Sequence, residues 1–266
     1  MSAVEQVIGS HPPHTHPCGL HFIATDQKTP LNVSHRILDD EPLHLDEFIA
    51  VMRQWLVNHH VSPEAIERDR ILREAMARQG FQDYVKRFPE NLTTQKGNWA
   101  EILLAEYIVA SSNTRLPIYR LRVNPNPDQS MKGDDVLVFD LDSNPVRILI
   151  GEAKFRKTST KTVVNEIINA LENSRSGGLP SSLQFVADLL CMSGNKELGE
   201  KIADCNMLFA QDQLRLDYVG LLVSDKDAHR HVIRNAKSEI PDLVVISLGL
   251  ENPEGVVTAS YENLET

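Results

Sequence analysis

The sequence predicts an α/β protein whose core runs helix, three-strand meander, helix, strand, behind a partly helical N-terminal region. Three observations lead there. Two apolar runs of strand length, Asp135-Val-Leu-Val-Phe-Asp140 and Pro145-Val-Arg-Ile-Leu-Ile-Gly151, are joined by the turn signal Asp142-Ser-Asn-Pro145. Helical apolar spacing precedes them at Trp99, Ile102, Leu103 and Tyr107, and follows them at Val163, Val164, Ile167, Ile168 and Leu171. Later, strand-like runs at 217–224 and 242–249 flank a helix at 227–239.

Taken in order, residues 1–19 are rich in His and Pro and read as an irregular or tail segment. His11, His14, His16 and Cys18 are possible zinc ligands, but the intervening prolines and the lack of a second cluster argue against a folded metal site. A strand is expected near Leu20–Ala24, helices over 46–60 and 63–78, and an irregular stretch to Thr94. The core follows as helix 97–111 and strands 118–123, 135–141 and 146–153. Helices at 161–174, 181–193 and 195–204 come next. Ser176-Gly-Gly-Leu-Pro-Ser lacks the Gly-Lys-Ser/Thr ending and preceding strand of a phosphate loop, so it reads as a turn, and no ATPase motor is visible.

The most informative residues end the second apolar run. Glu152 and Lys154 alternate with Ala153, so both point to the same face of a strand. A symmetric hairpin centred between Ser143 and Asn144 sets position 135 against position 152. Their Cβ atoms would then lie roughly 4.5–5.5 Å apart. Two opposed carboxylates at the end of an apolar strand are costly unless a positive charge joins them. Mg²⁺ or Mn²⁺ suits such a pair, because Mg²⁺ commonly takes one or two protein carboxylates and keeps water for the remaining positions. Lys154 would orient the nucleophile or stabilise the oxyanion. The carbonyl of Ala153 is a further candidate ligand. The plain alternative is a solvated pair at a strand end. Asp134 precedes Asp135, and the sequence leaves open which of the two binds metal, with the register favouring Asp135.

Asp, followed by Glu-x-Lys on the next strand, resembles the PD-(D/E)xK nuclease superfamily, although Asp134 stands where the pattern's name has Pro. That resemblance implies a restriction-endonuclease-like core and a helical acid before the first strand. Glu101 is the candidate acid, a metal ligand that joins or backs the metal shell, and Glu106 a weaker one. The order of blocks narrows the likeness further: Gly97 to Glu101, then Lys132-Gly-Asp-Asp-Val136, then Gly151-Glu-Ala-Lys-Phe155. Over roughly residues 20–250 it resembles the nuclease subunit (HamA-like) of the Hachiman anti-phage defence system. By that resemblance Asp135, Glu152, Lys154 and Glu101 form the catalytic set and a superfamily 2 helicase is the partner. The chain is read as an N-terminal, partly helical region, residues 1–90, open to partner binding, followed by a nuclease-like domain over 91–266.

Charge agrees with a partnered enzyme. The chain carries a net charge of −10, which disfavours unaided binding to a polyanion. Its basic exceptions flank the proposed site. Lys132, Arg156, Lys157 and Lys161 are candidate nucleic-acid contacts, and Arg120 and Arg122 could help guide a backbone. No run approaches the ~20 apolar residues of a membrane span, and no secretory signal opens the sequence. Cys18, Cys191 and Cys205 are too few and too scattered for a disulfide framework, so reduced thiols and a cytoplasmic protein are expected. Two other functions fit these residues: a stand-alone restriction or repair-type endonuclease, and a non-catalytic DNA-sensing or scaffold subunit that keeps the fold.

Overall fold

The computed structural model describes residues 1–80 and 86–264. Part of the stretch expected to be irregular before Thr94, residues 81–85, lies outside them. Along the chain come α1 (Ala3–Ile8), α2 (Pro17–His21), β1 (Phe22–Lys28), β2 (Ser34–Asp40), α3 (Leu45–His60), α4 (Pro63–Ala77) and α5 (Leu92–Ser111). They are followed by β3 (Val136–Asp140), β4 (Val146–Phe155), α6 (Lys161–Ser176), α7 (Leu183–Met192), α8 (Lys196–Ala203) and α9 (Cys205–Ala210). The chain closes with β5 (Leu214–Asp225), α10 (Ala228–Asn235), β6 (Val244–Leu250) and α11 (Pro253–Tyr261).

The six strands among the described residues form one mixed sheet in the order β1-β2-β6-β5-β4-β3. The β1–β2 and β3–β4 pairs are antiparallel, while β2, β6, β5 and β4 run parallel. Parallel strands are covered on both faces, which explains why every residue of β6 and eight consecutive residues of β5 are buried. Helices α1, α2, α3, α5 and α11 pack on one face through a core centred on Trp99, Leu103 and Tyr107. Helices α6, α7, α8 and α10 cover the other through Ile167, Leu171, Val186 and Val232. The molecule is therefore a three-layer α/β structure.

The alternation of β4 fixes the site. Leu149, Ala153 and Phe155 pack towards α5, while Ile148 and Ile150 pack towards α6, so Glu152 and Lys154 continue the α6-facing row. The β3–β4 register, Val136 opposite Gly151 through Asp140 opposite Arg147, is the one a hairpin centred between Ser143 and Asn144 requires. Gly151 allows α5 to close on this hairpin, because a Cβ there would come within 2.9 Å of both Leu104 and Val136.

Several expectations are corrected. Residues 118–123 do not form a strand, so the three-strand meander reduces to a hairpin followed by parallel β5. A 3₁₀ turn spans Arg120–Val123, and only Arg115 makes an isolated bridge to Phe139. Pro117, Pro125 and Pro127 bound the segment and favour turns at its ends, and Arg120 and Arg122 are drawn out to the Asp134 and Asn58 carbonyls. Residues 1–19 are not a tail. Ser2 and Glu5 make a reciprocal capping box that starts α1, and Val4, Val7 and Ile8 are buried. Helix α2 opens with Pro17 and buries Cys18. His11 and His16 are engaged locally: His11 meets the Tyr107 hydroxyl at 2.8 Å and donates from Nε2 to the Phe22 carbonyl at 2.9 Å, and His16 accepts from the Cys18 N–H at 3.2 Å. The strand near Leu20 starts at Phe22, and β2 and α11 add elements that the sequence pattern did not reveal.

Candidate active site

Four elements converge beyond the start of β3. Asp135 is the residue just before that strand, Glu152 and Lys154 lie near the end of β4, Glu101 projects from α5, and Arg120 begins the 3₁₀ turn. Beyond β3, the edge of β4 has no strand partner among the described residues. The Ala153 N–H finds its acceptor in Asp135 Oδ2 at 3.0 Å, so a side chain substitutes for a ladder carbonyl. This contact fixes the Asp135 carboxylate against β4, and Glu152 projects from the residue next to Ala153.

The neighbouring aspartates part company. Asp134 turns to the loop that joins α6 to α7. Its Oδ2 accepts from the Ser181 hydroxyl at 3.1 Å and the Ser182 N–H at 3.0 Å, its Oδ1 accepts from Ser174 at 3.3 Å, and its own N–H donates to Ser182 Oγ at 2.9 Å. Gly133, at φ +112°, permits that contact, because a Cβ there would approach Ser182 Oγ to 2.4 Å. Ser181, the last residue of the Ser-Gly-Gly-Leu-Pro-Ser turn, thus joins Ser174 and Ser182 in fixing Asp134, leaving Asp135 to the site.

Positive charge is supplied from two sides. Arg120 Nη2 donates to Glu101 Oε2 at 2.8 Å and lies 3.8 Å from Asp135 Oδ1, and its Nη1 donates to the Asp134 carbonyl. Lys154 Nζ pairs with Glu152. Burial, reinforced by the Asp135 charge, pushes the Glu101 carboxyl up to about 7 against the pull of Arg120. Burial and Asp135 likewise raise Glu152 to about 7, with Lys154 opposing. For Lys154, burial works against its charge but is outweighed by Glu152, Asp135 and Glu101, and its pKa stands above the ordinary lysine value. The site holds more negative charge than its two cations settle comfortably.

A divalent cation fits part of this donor set. Asp135 and Glu152 are hard oxygen donors, close enough that the Asp135 charge raises Glu152, and two carboxylates plus water is a set that Mg²⁺ accepts. Glu101 is already bound to Arg120. Among the described residues, no group of three or more His, Cys, Asp and Glu side chains is arranged to hold a metal. The fit is therefore to a two-carboxylate site backed by Glu101.

The family described as HamA matches this chain over residues 16–264, which include every residue of this cluster. The chain belongs to the HamA family. It is 35% identical to the Hachiman protein HamA of Bacillus cereus over 235 residues, covering 87% of this chain and 84% of that relative.

In this HamA-family chain the candidate nucleic-acid residues divide into two groups. Arg156 pairs with Glu166 at 2.6 Å, and Lys157 pairs with Glu254 at 3.1 Å, so the basic stretch after β4 is largely matched internally. Lys132 is exposed on the rim of a pocket beside Asp135, and Lys161 is exposed in the first turn of α6. Glu106, the weaker candidate acid, lies apart from the cluster and bonds His59 at 2.7 Å. Arg122 is also directed elsewhere, donating to the Asn58 carbonyl at 2.8 Å and lying over the Tyr119 ring.

Sequence reasoning placed Arg120 on a strand and missed its part in the cluster. The signal was the prolines at 117, 125 and 127 that bound its segment and favour a turn there. The fixing of Asp134 by Ser174, Ser181 and Ser182 had no pattern to reveal it, since those residues lie 40 or more positions away in sequence.

Proposed function

We propose that the chain is the metal-dependent deoxyribonuclease of a Hachiman anti-phage system, with a restriction-endonuclease-like core. The observation that supports this most is the Asp135 carboxylate, fixed by the Ala153 N–H beside the Glu152–Lys154 pair. A bound Mg²⁺ or Mn²⁺ would lower the pKa of its water and neutralise charge on the scissile phosphate. Asp135 and Glu152 would hold it, with the Ala153 carbonyl as a further ligand. Lys154 would donate to the attacked phosphate oxygen or hold the water in line. Glu101 would act behind the pair through Arg120.

The strongly acidic chain, with its basic stretch matched internally, suits an enzyme whose DNA is delivered by another subunit. A superfamily 2 helicase is the proposed partner, the cytoplasm the proposed compartment, and residues 1–90 the proposed docking region, with 91–266 as the nuclease domain. All three cysteines are free thiols, and no helix among the described residues is long and apolar enough to cross a membrane.

The test is cleavage of plasmid DNA with Mg²⁺ by wild type and by Glu152→Ala/Lys154→Ala, each alone and with the helicase. Cleavage only by wild type with its partner is the expected result. Cleavage by wild type alone points to a stand-alone endonuclease, and retained cleavage in the double variant overturns the assignment of residues. No cleavage under any condition leaves a DNA-sensing subunit.

A further inference from the structure

Helix α5 carries a glycine where nothing packs. Gly97 lies in its second turn, partly exposed, and a Cβ added there would meet no atom within 4 Å. A glycine inside a helix weakens it relative to alanine, and no neighbouring group demands one here. Glu101 stands four positions on, so the two share a helix face, about 6 Å apart along the axis. The bare surface at Gly97 therefore adjoins the acid cluster, and a ligand backbone can come close to it.

Beside that surface two lysines meet one acid. Lys96 Nζ donates to Glu254 Oε1, and Lys157 Nζ lies 3.1 Å from Glu254 Oε2. Lys96 belongs to α5, Lys157 follows the end of β4, and Glu254 sits in the first turn of α11. Lys96 also lies 5.7 Å from the ring centroid of Phe155, the residue after Lys154. The same two stretches of chain that supply Glu101 and Lys154 thus supply the lysines. Hydrogen bonds from Lys96 and then Lys157 hold the Glu254 carboxyl below its ordinary pKa.

An exposed ion pair alone is ordinary surface chemistry of little worth. Here two ammonium groups are set on the two oxygens of one carboxylate, next to a bare glycine in line with the acid cluster. A diester phosphate also offers two charged oxygens to such a pair. A peptide carboxylate would match the charge, but phosphates come in series, so one strand can occupy the cluster and the lysines at once. We propose that the DNA strand whose phosphate meets the acid cluster runs over Gly97 and sets a neighbouring phosphate on Lys96 and Lys157, displacing Glu254. This deepens the nuclease reading and rests on it. Glu254 is then a stand-in anion that keeps the lysines from stray polyanions until a strand is delivered.

Fluorescence anisotropy of a labelled oligothymidylate tests this on the full chain, in EDTA so that no cleavage occurs. Glu254→Gln should tighten binding about fivefold, and the affinity should fall more steeply with salt than that of wild type. Glu197→Gln makes the same change of net charge on α8, where the acid pairs with Lys201, and should have little effect. Adding Lys96→Ala and Lys157→Ala to Glu254→Gln should remove the gain. Gly97→Leu should melt no lower than wild type, because leucine is the better helix former and has room, yet lose most of the oligonucleotide binding. The lysine variants decide alone if circular dichroism shows Gly97→Leu unfolded. A Glu254→Gln gain no larger than that of Glu197→Gln, or one that survives loss of both lysines, overturns the proposal. So does wild-type binding by a folded Gly97→Leu, or no binding by any variant. An equal gain for polyglutamate overturns it too, giving the lysines to an acidic protein segment. Plasmid cleavage reads the other claim separately. The expected binding pattern without cleavage leaves the path standing and the nuclease reading fallen, and cleavage without that pattern does the reverse.

Discussion

Arg120 and Glu101 form a 2.8 Å ion pair between the 3₁₀ turn and α5, and the same guanidinium reaches to 3.8 Å from Asp135. One cation thus moderates two acids from the side opposite Lys154. Replacing Arg120 with Gln removes that charge from a partly buried cluster, at a cost of about 3 kcal/mol. The variant should melt well below wild type, and titrated Mg²⁺ should recover more of its Tm than it adds to wild type. Equal Mg²⁺ responses in thermal melts would show that Arg120 and the cation do not act on the same carboxylates.

The two adjacent aspartates should behave differently. Asp135→Asn should reduce cleavage at least about 10²-fold with little change in stability. Asp134→Asn should leave cleavage within about tenfold of wild type while destabilising the fold by ~2 kcal/mol, because its charged hydrogen bonds hold Ser181 and Ser182. Parallel cleavage and urea-unfolding assays decide it, and the opposite pattern would exchange their roles.

Three buried histidines make stability sensitive to acid. Burial lowers His21, His35 and His60 to about 4, below the ~6.5 of an exposed histidine. His60 shows why: its Nδ1–H donates to the Leu56 carbonyl at 2.8 Å, and its Nε2 accepts from Asn98 at 3.2 Å. Between these pH values the unfolded chain binds more protons than the folded one. The histidine contribution should therefore be full above pH 6.5 and decline as pH falls towards 4. The decline is offset in part by Glu101 and Glu152, which are raised to about 7 and gain stability as they take up protons over the same fall. Chemical denaturation across that window should show the decline, and His60→Gln should make it shallower.

Deleting residues 1–10 should cost at least about 4 kcal/mol, since Val4, Val7 and Ile8 are each buried and a large buried aliphatic side chain is worth ~1.5–3 kcal/mol. The deletion also removes the Gly9 and Val7 carbonyls, which accept from Arg36 and Arg147. A truncated chain as stable as the full one in urea would return this segment to the status of a tail.

The parts of the fold that could be read in advance were those governed by local period. The β3–β4 hairpin and its register followed from alternation and one turn, and α5 and α6 from their apolar spacing. What escaped was decided by distant partners. Strand β2 was hidden because it buries His35 and Arg36, and those residues are tolerable inside only through Ser247 at 2.8 Å and the two-pronged contact of Arg36 with Asp26 at 2.7 and 2.8 Å. Helix α1 was within reach, since Ser2-Ala-Val-Glu5 is a capping-box signature outweighed by the His-Pro run after it. Asp135, Glu152 and Lys154 were found because a hairpin joins them. Arg120 was not, because its place depends on a proline-bounded turn folding back on α5.

The matching of Arg156 by Glu166 and of Lys157 by Glu254 has a consequence in solution. Binding a polyanion usually gains its strength from small cations set free when lysines and arginines take their place. Here two of those side chains are already committed to carboxylates of the same molecule, so few ions are left to release. The strength of any encounter between this surface and DNA should change little with added salt, and attraction at long range should be weak. Where and when the chain meets its strand would then be decided by whatever carries the strand to it.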